Sequence, residues 1–470
     1  MLRSVAALLV VVVLAAGGAY VMAGQGAPPQ LIIEKPERFV GQGGTLEVTA
    51  DAPHARFTSL AIAVEQNGRS VPLFTLLGAQ AATITQVSPD RLRISRPFGK
   101  QNVPELQPGP ARIVVTATRP SFLSLRTLSS TATRDVQVRL DAPRVALVST
   151  HHYVNHGGSE MVVYRATPPD VRSGVRVGNV EYPGFPAAGA GIAGADPALR
   201  VAFFALLYDQ DLNAPIAVFA EDDAGNQATL TFVDNVFEKP FKRSNIQIDD
   251  RFMNRVVPEI IGHSLELNMA PPSAGSDMLP GFLKVNGALR QLNADQIAKL
   301  ATSKTSASRV WSGPFVQLGN SQVEASFADH RTYFYNGKEI DQQVHLGFDL
   351  AVTSNVAVVA ANAGTVLNAS WLGIYGNCII IDHGMGVASL YGHLSSFDVK
   401  VGDTVTRGQT IGRSGMTGLA AGDHLHFTML VGGHPVNPVE WWDAHWVQDR
   451  VDRKLRDAGA GTSAAGRERR

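Results

Sequence analysis

The chain has 470 residues, 45% hydrophobic and 17% charged, which is the composition of a folded protein and a length that calls for about three domains. Its 41 Lys and Arg residues balance 41 Asp and Glu residues, so no basic excess marks a nucleic-acid surface and no nucleic-acid partner is expected. A single cysteine, Cys378, excludes an internal disulfide and a zinc site built from several thiolates; it lies in an apolar run and reads as a small buried hydrophobe.

Residues 1–24 read as a targeting segment. Arg3 precedes "VAALLVVVVLAAGGAYVMAG", which is apolar throughout. Two readings stand. A cleaved secretory signal would use Val5 to Ala16 as its apolar core and the small residues near Ala23 for cleavage. An uncleaved anchor would use the whole run of about 20 residues to cross a bilayer. Either one exports the rest of the chain. No cysteine follows the run, so a lipoprotein anchor has no support.

Residues 30–142 contain short, near-alternating apolar runs such as "GTLEVTAD", "SLAIAVEQ" and "ARIVVTATRP", several of them separated by Gly, Pro and Asn clusters. This spacing predicts a β-sandwich. Residues 143–236 repeat the pattern with "EMVVYRA", "RVAFFALLY" and "IAVFAEDDAGNQATLTFV". There "DDAGN" marks a hairpin turn and resembles the last hairpin of bacterial immunoglobulin-like modules, so a second, immunoglobulin-like sandwich is expected. No Cys…Trp…Cys pattern is present, and kinship to antibody domains is architectural only. The stretch "HHYVNH", His151 to His156, has no acidic ligand beside it and reads as structural.

Residues 237–305 carry apolar positions at helical spacing in "DDRFMNRVVPEIIGH" and "FLKVNGALRQLNADQIAKLA". Asn293 is placed to cap a helix starting at Ala294, and the segment reads as a helical linker that docks on a neighbour. Residues 306–448 form a Gly-rich β segment. The tail, 449–470, begins as a short helix and ends in "GAGTSAAGRERR", which has no apolar periodicity and reads as disordered. The expected fold class is thus mainly β: two sandwiches, a helical linker and an antiparallel β domain.

The chemistry concentrates in that last domain. Of 13 histidines, eight lie between His330 and His445. "HLGFD" supplies His345 and Asp349, "LYGHL" supplies His393, and "HLHF" supplies His424 and His426. Imidazoles with one carboxylate suit a catalytic zinc that keeps an open coordination position. Residues i and i+2 of a strand share a face, so His424 and His426 project together. Both could reach one metal, or one could hold it while the other acts on water or substrate; spacing leaves this open. The Gly-rich "GRSGMTGLAAGD" lacks G-x-x-x-x-G-K-[ST] and leads into a strand, which rejects a phosphate loop. His383 sits in a predicted hairpin turn and reads as structural, while His330 and His434 flank the segment without a ligand motif. Trp441, Trp442 and Trp446 read as packing residues.

Taken in order, these pieces resemble the zinc endopeptidases of the lysostaphin and LytM type, which cut peptides in peptidoglycan. The resemblance runs from about Val323 to Trp441. It includes "DQQVHLGFDLA", "YGNCIIIDHGMGVASLYGHL", "VKVGDTVTRGQTIGRSGMTGLAAGDHLHF" and "GHPVNPVEW". It implies one Zn2+ held by His345, Asp349 and His426, with His393 and His424 as the non-ligand catalytic pair. It also implies a duplicated hybrid-motif sheet with a groove over the metal, and peptidoglycan as substrate. The implied location is the periplasm or cell envelope, with inner-membrane association through residues 4–23 if the anchor is kept. The two β modules would be spacers, a lid, or adaptors for a wall or divisome partner. Degenerate relatives act instead as non-catalytic binding or hydrolase-activating proteins, but such copies lose ligands and this chain lacks none. Fold and metal do not fix substrate, so a different zinc hydrolase stays open. One departure is visible: before His345 the run "SFADHRTYFYNGKEIDQQVHLG" keeps Arg331 but lacks the glycine turn and His-Pro common in the family. That stretch is expected to form a groove wall.

Overall fold

The computed structural model describes residues 2–24, 26–53, 56–78, 82–121 and 124–467; within the first and last helices, side chains are described over 8–21 and 453–460. The fold is mainly β and divides into two compact units, Met1–Pro143 with Glu221–Ala228, and Arg144–Ala220 with Thr229–Arg470.

The first unit opens with helix α1 (Leu2–Gly24), whose side chains from Leu8 to Leu14 are exposed. Among the described residues, no helix is long and apolar enough to cross a membrane. A four-stranded and a five-stranded sheet follow. Their alternating residues, including Leu46, Val48, Ile62, Val64, Ile113 and Val115, meet in one buried core.

The second unit contains a β-rich part, including a four-stranded sheet within 144–205, and then the C-terminal domain. One hydrophobic cluster runs through both. Helix α5 (Pro438–Trp442) carries the junction. Trp441 is fully buried against Phe203, Trp311 and Phe315, with ring centroids 5.4–5.9 Å away. Beside it, the Glu440 carboxylate accepts from Asn155 Nδ2 at 2.6 Å and from the Ser159 amide at 2.7 Å.

The segment expected as a linker is built into the domain. Strand β1 (Arg243–Ile248) pairs in parallel with β2 (Asp329–Tyr335), and β2 pairs antiparallel with β3 (Lys338–His345). Asp249 caps helix α2 (Asp250–His263) by accepting from the Phe252 amide. Helix α3 (Leu279–Lys284) continues through a π-helical stretch, Val285–Leu289, into α4 (Arg290–Ser303). Asn293 is therefore not a cap: with a proline in the first turn, the helix begins at Leu279, and Asn293 is buried well inside it.

The main sheet is antiparallel. Its strands are β4 (Phe348–Ala351), β5 (Gly364–Trp371), β6 (Asn377–Gly384), β7 (Val387–Leu394) and β8 (His424–Val431), joined in the order β4-β8-β7-β6-β5. Strands β6, β7 and β8 are buried on both faces, because both faces are covered. Ile297 and Ala301 of α4 pack on Cys378, Ile380, Leu390 and Leu430, while the larger cluster fills the other side. Cys378 is buried, as a small hydrophobe would be.

The tail differs from its expectation. Helix α6 (Arg453–Arg467) spans most of the stretch read as disordered. Alanines favour the helix, and its first turn is tied down: Lys454 Nζ lies 2.8 Å from Glu160 Oε1, both side chains at most 3% exposed.

Burial pushes the Glu440 carboxyl from its ordinary 4.5 up to about 7. The folded chain holds this proton more tightly than the unfolded chain, so the associated stability is full below about pH 4.5 and is lost as pH rises through 7. Urea unfolding should show the wild type losing about 3 kcal/mol more than Glu440→Gln between pH 5 and pH 8. Parallel pH profiles would contradict this.

Candidate metal centre

The registry of three strands assembles the centre. Asp349 of β4 lies opposite His426 of β8, and Gly392 of β7 faces His426 from the other side. His345 ends β3, opposite Asp329 of β2. His345 Nε2, Asp349 Oδ1 and His426 Nδ1 come together at 2.9, 3.0 and 3.1 Å from one another. Among the described residues this is the one group of His, Cys, Asp and Glu able to hold a metal ion.

Hydrogen bonding shows what these atoms carry. His345 Nδ1 donates to the Ser326 carbonyl at 3.2 Å, because a carbonyl only accepts, which leaves Nε2 as the nitrogen facing the other two donors. Thr428 Oγ1 donates to the Leu346 carbonyl at 2.9 Å and therefore accepts from His426 Nε2 at 3.0 Å, which leaves His426 Nδ1 bare. Two imidazole nitrogens and a carboxylate oxygen thus point at one spot, and with both rings neutral all three are lone-pair donors. A cation at the centre is what such a set can share. Donors about 2.0–2.2 Å from a tetrahedral ion lie roughly 3.3–3.6 Å apart, within about half an ångström of the spacing here. The residues fit a metal.

The surroundings hold these donors in place. Arg331 Nη2 bonds Asp349 Oδ2 at 3.1 Å, and its Nε lies 3.4 Å from Asp329, which in turn accepts from Ser244 of β1. Burial works against the Asp349 charge, but His345, His424 and His426 hold its carboxyl well below the usual range. Burial pushes His426 down to about 4, in keeping with a neutral ring. Gly347 of "HLGFD" has a steric role: a Cβ there would lie 2.5 Å from His426 Nε2 and 2.6 Å from Thr428 Oγ1.

His393 and His424 line the same cavity, their ring centroids 4.8 Å apart. His393 Nδ1 donates to the Thr417 carbonyl at 2.8 Å, leaving Nε2 bare, and its backbone is left-handed at φ 64°. That conformation is uncommon for a residue with a side chain and clusters at functional sites. Burial, with His424 and His426, holds His393 well below its ordinary pKa. His424 Nδ1 donates to the Gly422 carbonyl at 2.9 Å, and its Nε2 stands 3.5 Å from Asp349 Oδ1. Burial opposes charging His424, but the Asp349 carboxylate outweighs it and raises the pKa. All five residues singled out in the sequence therefore meet at one cavity of about 1090 Å³.

The helical segment forms a wall of that cavity, a role the sequence reading missed. Arg255 of α2 donates to the Met416 carbonyl at 3.4 Å and to the Ala420 carbonyl, pinning the Gly-rich loop before His424. Asn293 Oδ1 of α4 accepts from the Ile374 amide at 3.0 Å, and a Cβ on Gly373 would lie 2.1 Å from that oxygen. This clamp presents Tyr375, whose ring centroid is 5.2 Å from that of His426. None of these contacts has a local sequence signature; only Arg331 was visible, as a retained arginine. His434 lines the cavity, whereas His330 packs near Phe241 and Tyr208. His383 is buried and structural in setting, donating to the Ala363 carbonyl at 2.7 Å. His152 of "HHYVNH" bonds Ser149 at 2.8 Å, and burial lowers it to about 3.

The family model for peptidase family M23 matches residues 343–438. Residues 343–438 are a peptidase family M23 domain. The match contains all five site residues and the main sheet. This M23 domain is 40% identical over 97 residues to the DD-carboxypeptidase/endopeptidase Mpg of Neisseria meningitidis, covering 21% of this chain and 22% of that relative. It is 40% identical over 96 residues to the peptidoglycan DD-endopeptidase ShyA of Vibrio cholerae, covering 20% and 22%. The chain thus matches less than a quarter of the length of these curated relatives. Among solved structures, the catalytic domain of lysostaphin from Staphylococcus simulans aligns at 31% identity and TM-score 0.23, over 27% of this chain and 94% of that one.

Replacing Gly347 by Ala should displace His426 and lower metal affinity about 10–100-fold with the fold retained, measured by competition with a chromogenic chelator. Unchanged affinity would remove the steric role assigned to Gly347.

Proposed function

We propose that the chain is an exported, zinc-dependent endopeptidase that hydrolyses peptide bonds in peptidoglycan stem peptides or cross-bridges. The observation that carries this reading is the pair of bare imidazole nitrogens and the carboxylate oxygen converging beside His393 and His424 in one cavity. The endopeptidase names of the Neisseria and Vibrio relatives support the substrate class, and the apolar α1 supports export.

His345, Asp349 and His426 would hold the ion, two neutral donors and one anion. Zinc bound there supplies Lewis-acid polarisation of a carbonyl and makes a water molecule more acidic. His393, neutral and with Nε2 bare, is the group able to accept that water's proton. His424 carries its first proton on Nδ1, and a second on Nε2 beside Asp349 makes it the donor. It would stabilise the developing oxyanion or protonate the leaving amine. Arg331 keeps Asp349 oriented through the oxygen the metal does not use. A hydrolase-activating role without catalysis is less favoured, because neither the donor set nor the histidine pair is broken.

Mass spectrometry of defined muropeptides after digestion tests the reading. Chelation should abolish cleavage and zinc should restore it. His426→Ala should lose both metal and cleavage, whereas His393→Ala should keep the metal and lose about 10²–10⁴-fold in kcat. A zinc-loaded protein that cleaves no muropeptide would contradict the enzymatic reading.

A further inference from the structure

Arg290 is the first residue of α4 and lines the cavity that holds the metal donors. It stands where the π-helical stretch Val285–Leu289 returns to α-helix; such interruptions of a helix recur at functional sites. One edge of its guanidinium is fixed by Asn286. Nε donates to the Asn286 carbonyl at 3.1 Å and Nη2 to Asn286 Oδ1 at 2.8 Å. Asn286 is itself fully buried and oriented by Asp341, to which its Nδ2 donates at 2.8 Å. The other edge, formed by Nη1 and the outer hydrogen of Nη2, has no hydrogen-bond partner among the described residues. Among the described residues no carboxylate lies within 4.0 Å of Arg290, although it is only partly exposed.

The other cationic groups of this wall are less suited to meet a ligand. Arg331 is occupied by Asp349 and Asp329, and Arg255 by the carbonyls of the Gly-rich loop. Arg251 is exposed to solvent. The acidic Asp295 on the same helix accepts from Gln291. Burial pushes the Tyr375 hydroxyl up to about 12, with Arg290 acting against it, and Tyr375 in turn packs on His426. Arg290, Tyr375 and the metal donors all line one cavity. A planar edge with two parallel N–H groups matches a carboxylate, and fixing it beforehand lowers the cost of binding.

We propose that Arg290 anchors a free carboxylate of the bound peptide, so that the enzyme selects stem peptides whose carboxylates near the scissile bond are unamidated. This rests on the endopeptidase reading above. The test compares two synthetic cross-linked stem-peptide dimers, one with free carboxylates and one amidated at those positions, digested by the zinc-loaded full chain. The wild type should favour the acid by about 10–100-fold in kcat/KM, the range of a charge-assisted hydrogen-bonded pair. Arg290→Gln should bring the acid-to-amide ratio to within about twofold of one, and Arg290→Lys should keep an intermediate preference, since an ammonium offers charge without the planar fork. Equal cleavage of both dimers by the wild type would overturn the anchor while leaving the peptidase standing. An undiminished preference in Arg290→Gln would overturn it as well. Cleavage of neither dimer by the wild type would overturn the endopeptidase reading and the anchor with it. Should Arg290→Gln fail to fold, the wild-type ratio and Arg290→Lys decide.

Discussion

Two imidazole nitrogens and a carboxylate oxygen stand about 3 Å apart, each aimed at the same point. The contacts around them hold this set in place. Each lone pair faces inward because the opposite ring nitrogen is committed elsewhere, His345 to the Ser326 carbonyl and His426 to Thr428. Thr428 has only one direction open because its own proton goes to Leu346. Asp349 is turned by Arg331, which is held by Asp329 and through it by Ser244. A cation satisfies all three donors at once, and the framework explains why the atoms are pre-positioned for one.

Much of that framework comes from outside the M23 match. The strand Arg243–Ile248 brings Ser244 to Asp329, α2 pins the Gly-rich loop, and α4 clamps the turn that presents Tyr375. The helical segment is thus a structural part of the site. Its helix α4 packs on apolar residues of β6, β7 and β8. On the opposite face, the shared core with residues 144–220 and the buried contacts of Glu440 and Trp441 make the second unit one packed body.

What the sequence made legible follows from range. His424 and His426 share a face because strand geometry is local. The grouping of these motifs around one ion came from resemblance, because strand order cannot be read from spacing. Asn293 misled for the converse reason: an asparagine before an apolar helical run looks like a cap, yet its side chain is spent on a turn 80 residues away. The end of the tail, from Gly459 on, lacks apolar periodicity, yet it continues a helix whose first turn is fixed by Glu160, nearly 300 residues earlier in the chain. Arg331 was noticed but not assigned, since its partner Asp349 is 18 residues on and reaches it only through pairing of separate strands.

The central claim is that His345, Asp349 and His426 hold a metal ion between them. Anomalous X-ray scattering above and below the zinc absorption edge, from crystals of the zinc-loaded full chain, tests it most directly. The account predicts one strong anomalous peak about 2.0–2.2 Å from His345 Nε2, Asp349 Oδ1 and His426 Nδ1. A zinc peak bound by other residues, or no peak between these three atoms at full zinc loading, would contradict it.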